Sequence, residues 1–452
     1  MKKGFTLVEL LAIVIILGIL AVVIVPKIQQ TIIDSKKSTY ESSAHALARE
    51  AEVFYADKKI NQEQFDGCEY NFATNINTCN GFEFKGQKPD SGTLKIYSSG
   101  EIAFALQFDD FCYKKTPVSD NIVISSNCDN SFLNTFPDIV TSGEGLYKSQ
   151  VEDGRLIYRG SNPNNKIMLK EDNSNETLYR IVSYEPDGTI KVVRDEAISK
   201  NGINSIAWDD NAGRTGDDNT YCSTPDYGCN VWGNQKNTLQ NGIALEDNFH
   251  YSYYLSNTST DLTNGDVGKV KNNSTLNEYL NNGSWEALSA LNKYIENHDF
   301  NVGGIYYISE YNSGDKGLAK EKAEEKMYTW NGKIGLLNAT DYVESSINPN
   351  CKSVYSNYYN ALNINGESLK DNLPNEEWPC STSNYNYRQY HQWLLTISPH
   401  NHNHIWFVNA EGYLVHNHAS SESFKVRPVF YLKSSISLSG NGTDSNPYRI
   451  ID

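Results

Sequence analysis

The sequence predicts an α+β chain: a long N-terminal hydrophobic helix packed on a small antiparallel sheet, followed by a large strand-rich α+β module. Three observations lead there. Phe5 to Val25 is an almost unbroken apolar run. Beyond it, apolar residues recur at three- and four-residue steps as far as Phe54, the period of a helix with one buried face. From residue 59 onward, short β-branched and aromatic segments alternate with Gly, Asn, Asp and Ser, the pattern of strands and turns.

The composition bounds the function. The chain has 452 residues, with 39 Lys+Arg against 55 Asp+Glu, a formal net charge of −16. An acidic chain lacks the basic face that a phosphate backbone needs, so no nucleic-acid partner is expected. Eight Cys fall as four near neighbours, Cys68/Cys79, Cys112/Cys128, Cys222/Cys229 and Cys351/Cys380. Nearest-neighbour disulfides in an oxidising compartment are the simplest arrangement, although spacing does not fix connectivity. The alternative, zinc ligation, lacks C-x2-C spacing and a matching His.

The N-terminal run is 21 residues long, enough to span a bilayer as a helix. Lys2 and Lys3 precede it and would hold the N-terminus in the cytoplasm. No small-residue cleavage site follows Val25, so the plain reading is a single-pass membrane anchor. Glu9 is the anomaly, because a carboxylate in hydrocarbon costs several kcal/mol unless paired. The stretch K-G-F-T-L-V-E-L-L resembles the class III signal of type IV pilins and pseudopilins. The resemblance implies cleavage after Gly4 by a prepilin peptidase and N-methylation of Phe5. It makes Glu9 the fifth residue of the mature chain and puts Pro26 at the family's proline position. The new amine on Phe5 of one subunit would pair with Glu9 of another, selecting filament register. Implied partners are the peptidase, the assembly machinery, the cytoplasmic membrane before assembly, and other subunits in a homo-oligomeric or mixed filament on the cell surface.

Pro26 predicts a kink or a melted turn. The helix then resumes, with Ile28, Ile32, Ile33, Tyr40, Ala44, Leu47, Ala51 and Phe54 as a core-facing stripe. Residues 59–140 are expected to form the globular head, with a hairpin at Ser98-Ser99-Gly100. KGQKPDSGTLKIYSSGEIAFAL resembles heads of Gram-positive pilin-like proteins, which implies the pilin fold: a helix wrapped by a short sheet. The stretch 135–148 reads as a linker or domain boundary.

Residues 149–452 carry the specialised function. LYRIVSYEPDGTIKVVRD predicts a hairpin about Asp187-Gly188. A helical pattern runs through Leu276, Tyr279, Leu280, Trp285, Leu288, Leu291 and Ile295. LYRIVSYEPDGTIKVV, KIGLLNATDY, WLLTIS and VRPVFYLK with GNGTDSNPYRI resemble a module of Gram-positive surface proteins related to C-type-lectin-like folds. That likeness implies ligand sites on loops, and fold alone does not give function.

Candidate sites follow from residue type. Trp208, Trp232, Trp393 and Trp406, near Asn and Asp, suit carbohydrate recognition by stacking plus hydrogen bonds, against the plain alternative of core residues. Asp209, Asp210, Asp217 and Asp218 form an acidic stretch that suits calcium, although the spacing is not that of an EF-hand. His391, His400, His402, His404, His416 and His418 cluster in sequence and suit zinc, copper or nickel, or simply a polar loop. No nucleophile–base pair stands out, so no catalytic residues, enzyme activity or obligatory cofactor are expected. The sequence thus reads as a pilin whose C-terminal module adheres to a glycan or host-surface ligand. The alternatives are a pseudopilin of a secretion or DNA-uptake machine and a tethered surface enzyme.

Overall fold

The computed structural model describes residues 7–125, 128, 133, 136–172, 175–199, 202, 205–210, 228–233, 236–237, 273–282, 284–285, 287–305, 317–354, 380–398, 403–421 and 424–451, without side chains for 8–10, 12–26 and 236–237. The chain divides into two compact units, Met1–Leu133 and Asn134–Asp452.

In the first unit, helix α1 (Leu7–Ile60) is followed by β1 (Cys68–Asn71), β2 (Ile76–Asn77), β3 (Ser91–Ile96), β4 (Ile102–Phe108), β5 (Phe111–Lys115) and β6 (Val123–Ser125). The strands form one antiparallel sheet in the order β2-β1-β3-β4-β5-β6. α1 lays Tyr40, Ala44, Leu47, Ala48 and Ala51 into a core with Leu94, Ile96, Phe104, Leu106 and Phe108. Alanines on that face let the helix approach the sheet, and Tyr40 stacks on Phe108 at 5.3 Å. The Tyr40 hydroxyl donates to Asp109 Oδ2 at 2.6 Å, and Lys36 Nζ reaches the same oxygen at 2.8 Å. Gly100 turns the β3–β4 hairpin at φ 100°, where a Cβ would lie 2.3 Å from the Tyr55 ring. Cys68–Cys79 and Cys112–Cys128 are disulfides.

The second unit begins with β7 (Gly145–Lys148), β8 (Leu156–Arg159), β9 (Lys166–Lys170), β10 (Glu176–Tyr184), β11 (Ile190–Arg194) and β12 (Lys236–Asn237). Then come α2 (Thr275–Asn281), α3 (Ala287–Leu291), β13 (Ile295–Glu296), β14 (His298–Asn301), α4 (Gly317–Glu325), β15 (Tyr328–Gly332), β16 (Ile334–Gly335) and α5 (Ala339–Glu344). It ends with β17 (Gln392–Ile397), β18 (His404–Val408), β19 (Leu414–His418), β20 (Val429–Leu432), β21 (Ser437–Ser439) and β22 (Arg449–Ile451). The main sheet runs β13-β20-β11-β10-β8-β7, with β16 also on β20 and β9 also on β10. Smaller sheets are β12-β15-β14, β17-β18-β19 and β21-β22. Tyr179, Ile181, Val192, Val193, Phe430 and Leu432 of the main sheet are fully buried. Its central hairpin closes at Asp187-Gly188: Gly188 has φ 86°, and Asp187 Oδ1 accepts from Thr189 N at 2.9 Å. Cys351–Cys380 is a third disulfide. Cys229 is also disulfide-bonded, while Cys222 lies outside the described residues.

The fold corrects several expectations. The chain is strand-rich with mainly antiparallel sheets, and a long apolar helix does not set its class. Among the described residues no helix is long and apolar enough to cross a membrane, so the single-pass anchor is not supported. Beyond Val25, Lys27, Asp34, Lys36, Lys37 and Glu41 interleave with the apolar positions of α1. Neither the pilin fold nor the C-type-lectin-like architecture is carried forward, because the observed sheets define the class instead. α1 is continuous across Pro26, so the turn there is not melted. Its buried stripe starts at Tyr40, and Ile28, Ile32 and Ile33 are exposed. The stretch 135–148 is no bare linker: it contains β7, Val140 N donates to Leu146 O at 2.8 Å, and the Phe136 ring lies 4.5 Å from Tyr184. The single helix expected near Leu276–Ile295 is two short helices, α2 ending at the C-cap Asn282.

Candidate functional site: an asparagine-lined cleft

The site is built on α2. Ser274 caps the helix by accepting from Asn277 N at 3.2 Å. Asp209 is fully buried beside it and accepts from Thr275 N at 3.1 Å and from Cys229 N at 2.8 Å. Asn277 Nδ2 then donates to Trp232 O at 2.9 Å. Asn281 clamps the start of β16, accepting from Ile334 N and donating to Ile334 O, both at 3.0 Å.

These contacts shape a cleft of about 680 Å³ between α2, α3, residues 292–297 and the end of β15. Among the described residues its polar lining is Asn273, Asn281, Asn282, Asn292, Asn297 and Ser289, its apolar lining Trp285, Leu288 and Trp330, and its one charged member Lys333. Two glycines make room for the indole of Trp330. A Cβ on Gly332 would fall 1.9 Å from its Cη2, and a Cβ on Gly233 would fall 2.7 Å from its Nε1. Trp232 backs the same indole edge-on at 6.1 Å and Phe300 at 5.8 Å. Lys333 Nζ donates to Asn292 Oδ1. Among the described residues the lining holds amides, indoles, a hydroxyl and one ammonium, with no carboxylate, imidazole or thiol.

The tryptophans singled out from sequence lie elsewhere. Trp208, Trp232, Trp393 and Trp406 are each at most 1% exposed and cannot present a ring face to a ligand. Their physical role is packing: Trp208 lies 5.1 Å from Trp232, and Trp393 stacks on Phe424 at 4.0 Å. Trp285 and Trp330 line the cleft instead. The signal was present in the asparagines flanking them, but tryptophan alone does not distinguish wall from core.

The acidic stretch acts as a structural support in its described half. Besides Asp209, the carboxylate of Asp210 accepts from Thr275 Oγ1 at 2.6 Å. Asp217 and Asp218 lie outside the described residues. Among the described residues no group of three or more His, Cys, Asp or Glu is placed to hold a metal. His404 and His416 meet through their Nδ1 atoms at 2.8 Å, and His391 Nδ1 accepts from Ala410 N at 3.2 Å. Burial, then His418, pushes His416 down to about 4. His400 and His402 lie outside the described residues, as do Gly4 and Phe5 and the side chains of Glu9 and Pro26.

A buried ion network was not anticipated. Arg155 reaches Glu185 at 3.2 Å, Asp341 at 3.0 Å and Glu344 at 3.2 Å. Lys191 and Lys322 meet the same Asp341 at 2.6 and 3.2 Å. Burial opposes the charge on Asp341, yet Lys191, Lys322 and Arg155 hold its carboxyl well below the usual range. Burial pushes Glu325 up, where Thr340 and Thr396 hydroxyls contact it. These residues come from the position just before β8, the turn after β10, β11, α4, α5 and β17, so the network ties the main sheet to its helices. No family model, curated protein or solved structure matches the chain.

Proposed function

We propose that the chain is a filament subunit of the type IV pilin kind, with α1 as its assembly element and the second unit as a ligand-binding module. The observation that supports this reading is the uneven use of α1. Its C-terminal half buries Tyr40, Ala44, Leu47 and Ala51 in its own core. Towards its N-terminus, Leu7, Leu11, Ile28, Ile32 and Ile33 are exposed, 83% in the case of Leu7. Apolar surface of that kind calls for a partner, and helices of neighbouring subunits supply one. Glu9 then pairs with the amine freed on Phe5 of an adjacent subunit after cleavage behind Gly4. Removing one member of such a pair strands the other, at a cost of about 3–5 kcal/mol.

The test is filament incorporation. Glu9→Ala is expected to accumulate as folded protein while its share of sheared filaments falls by tenfold or more, on the order of what such a loss implies. Mass spectrometry of wild-type filaments should show chains beginning at Phe5. Normal incorporation of Glu9→Ala, or residues 1–4 retained in filaments, overturns the reading.

A further inference from the structure

We propose that the asparagine-lined cleft binds an uncharged saccharide. This deepens the ligand-binding part of the proposed function by naming the ligand class. The cleft, about 680 Å³, lies in the size range of small-ligand sites. Its charge content argues first. Among the described residues no carboxylate lines it, and the one cation, Lys333, donates to Asn292. A cationic ligand would therefore find no counter-charge there, and an anionic one only the single ammonium of Lys333.

What the cleft offers instead is paired donors and acceptors. The exposed amides of Asn282 and Asn297 make no hydrogen bond within the chain among the described residues. One amide supplies both a carbonyl acceptor and two N–H donors, which matches a pair of adjacent hydroxyls, each able to donate and accept. The Trp330 indole is 8% exposed, and its Nε1–H has no hydrogen-bond partner among the described residues. Beside it, Trp285, 5% exposed, adds an apolar edge to the wall.

The cleft is also preorganised. Trp330 is wedged between Trp232, Phe300 and the two glycines, and Asn281 is fixed by both groups of Ile334. A ligand then orders few side chains on entry, which lowers the entropic cost of weak polar binding.

The experiment uses the full chain on an array of neutral oligosaccharides, sialylated and sulfated oligosaccharides, and unglycosylated peptides. The expected result is binding to neutral oligosaccharides that the double variant Asn282→Ala/Asn297→Ala weakens by about tenfold or more, the loss of two hydrogen bonds. Lys333→Ala should leave that binding within about twofold, since the ammonium pairs with Asn292 rather than the ligand. Both substituted asparagines are exposed, so near-ultraviolet circular dichroism of the double variant should match wild type. Absence of neutral-saccharide binding, undiminished binding by the double variant, or binding confined to acidic glycans and lost in Lys333→Ala overturns the proposal. Filament incorporation of the double variant should be normal, so failure of this inference and failure of the filament reading register in separate measurements.

Discussion

His416 shows how one residue acquires a role that its type alone does not announce. It sits on β19 with its Nδ1 against that of His404 on β18, near His418 on its own strand and the Trp406 ring at 5.6 Å. Burial first, and His418 second, lower it from 6.5 to about 4. The folded chain therefore takes up this proton later than the unfolded chain as pH falls. The stability it carries is complete above about 6.5, declines through the interval down to about 4, and amounts to roughly 3 kcal/mol over that span. Melting followed from about pH 7 to about pH 4.5 should show a steeper fall for wild type than for His416→Asn. Parallel slopes would remove the imidazole from the account. The sequence displayed the histidine cluster on successive strands, but not the register that brings the Nδ1 atoms of His404 and His416 together. Nor did it reveal the partners of Arg155, because Asp341 lies 186 positions away and charged residues read as solvent-facing until a fold buries them.

At the scale of elements, legibility followed short-range chemistry. The hairpins at Gly100 and Gly188 were readable because a left-handed turn residue sits between two alternating runs. The buried face of α1 was readable from Tyr40 to Phe54, because helical periodicity reports one-sided burial. It misled at Ile28, Ile32 and Ile33, since periodicity states that a face is apolar and not what covers it. The cleft depended on something less visible, two glycines that only a formed β15 brings to the Trp330 indole. Gly332→Ala should push that indole out of place, because Trp232 and Phe300 leave it no room to yield. The expected cost is about 1–3 kcal/mol, the range for overpacking a well-filled site, with a changed near-ultraviolet circular dichroism band and weakened saccharide binding. An unchanged band with unchanged stability would show that the indole moves freely and that the cleft is not preorganised.

For the whole molecule, the decisive fact is that two cores are built by different means. The first unit packs a helix on a six-stranded sheet through aromatic and aliphatic side chains, closed by two disulfides. The second surrounds an eight-stranded sheet and anchors it through Arg155, Lys191, Lys322 and Asp341. Domains with their own cores unfold as separate cooperative units. Calorimetry of the full chain should therefore resolve two transitions. Leu47→Ala removes a fully buried side chain from the first core and should lower one transition by about 2–5 kcal/mol. Asp341→Ala leaves three buried cations short of a carboxylate and should lower the other by a similar amount, about 3–5 kcal/mol. Added salt should barely rescue the Asp341 variant, because buried pairs are screened far less than surface ones. If either substitution shifted both transitions equally, the two units would be one folding unit. Ligand capture could then no longer be treated as separable from assembly, and variants in the cleft would be expected to disturb filament incorporation as well.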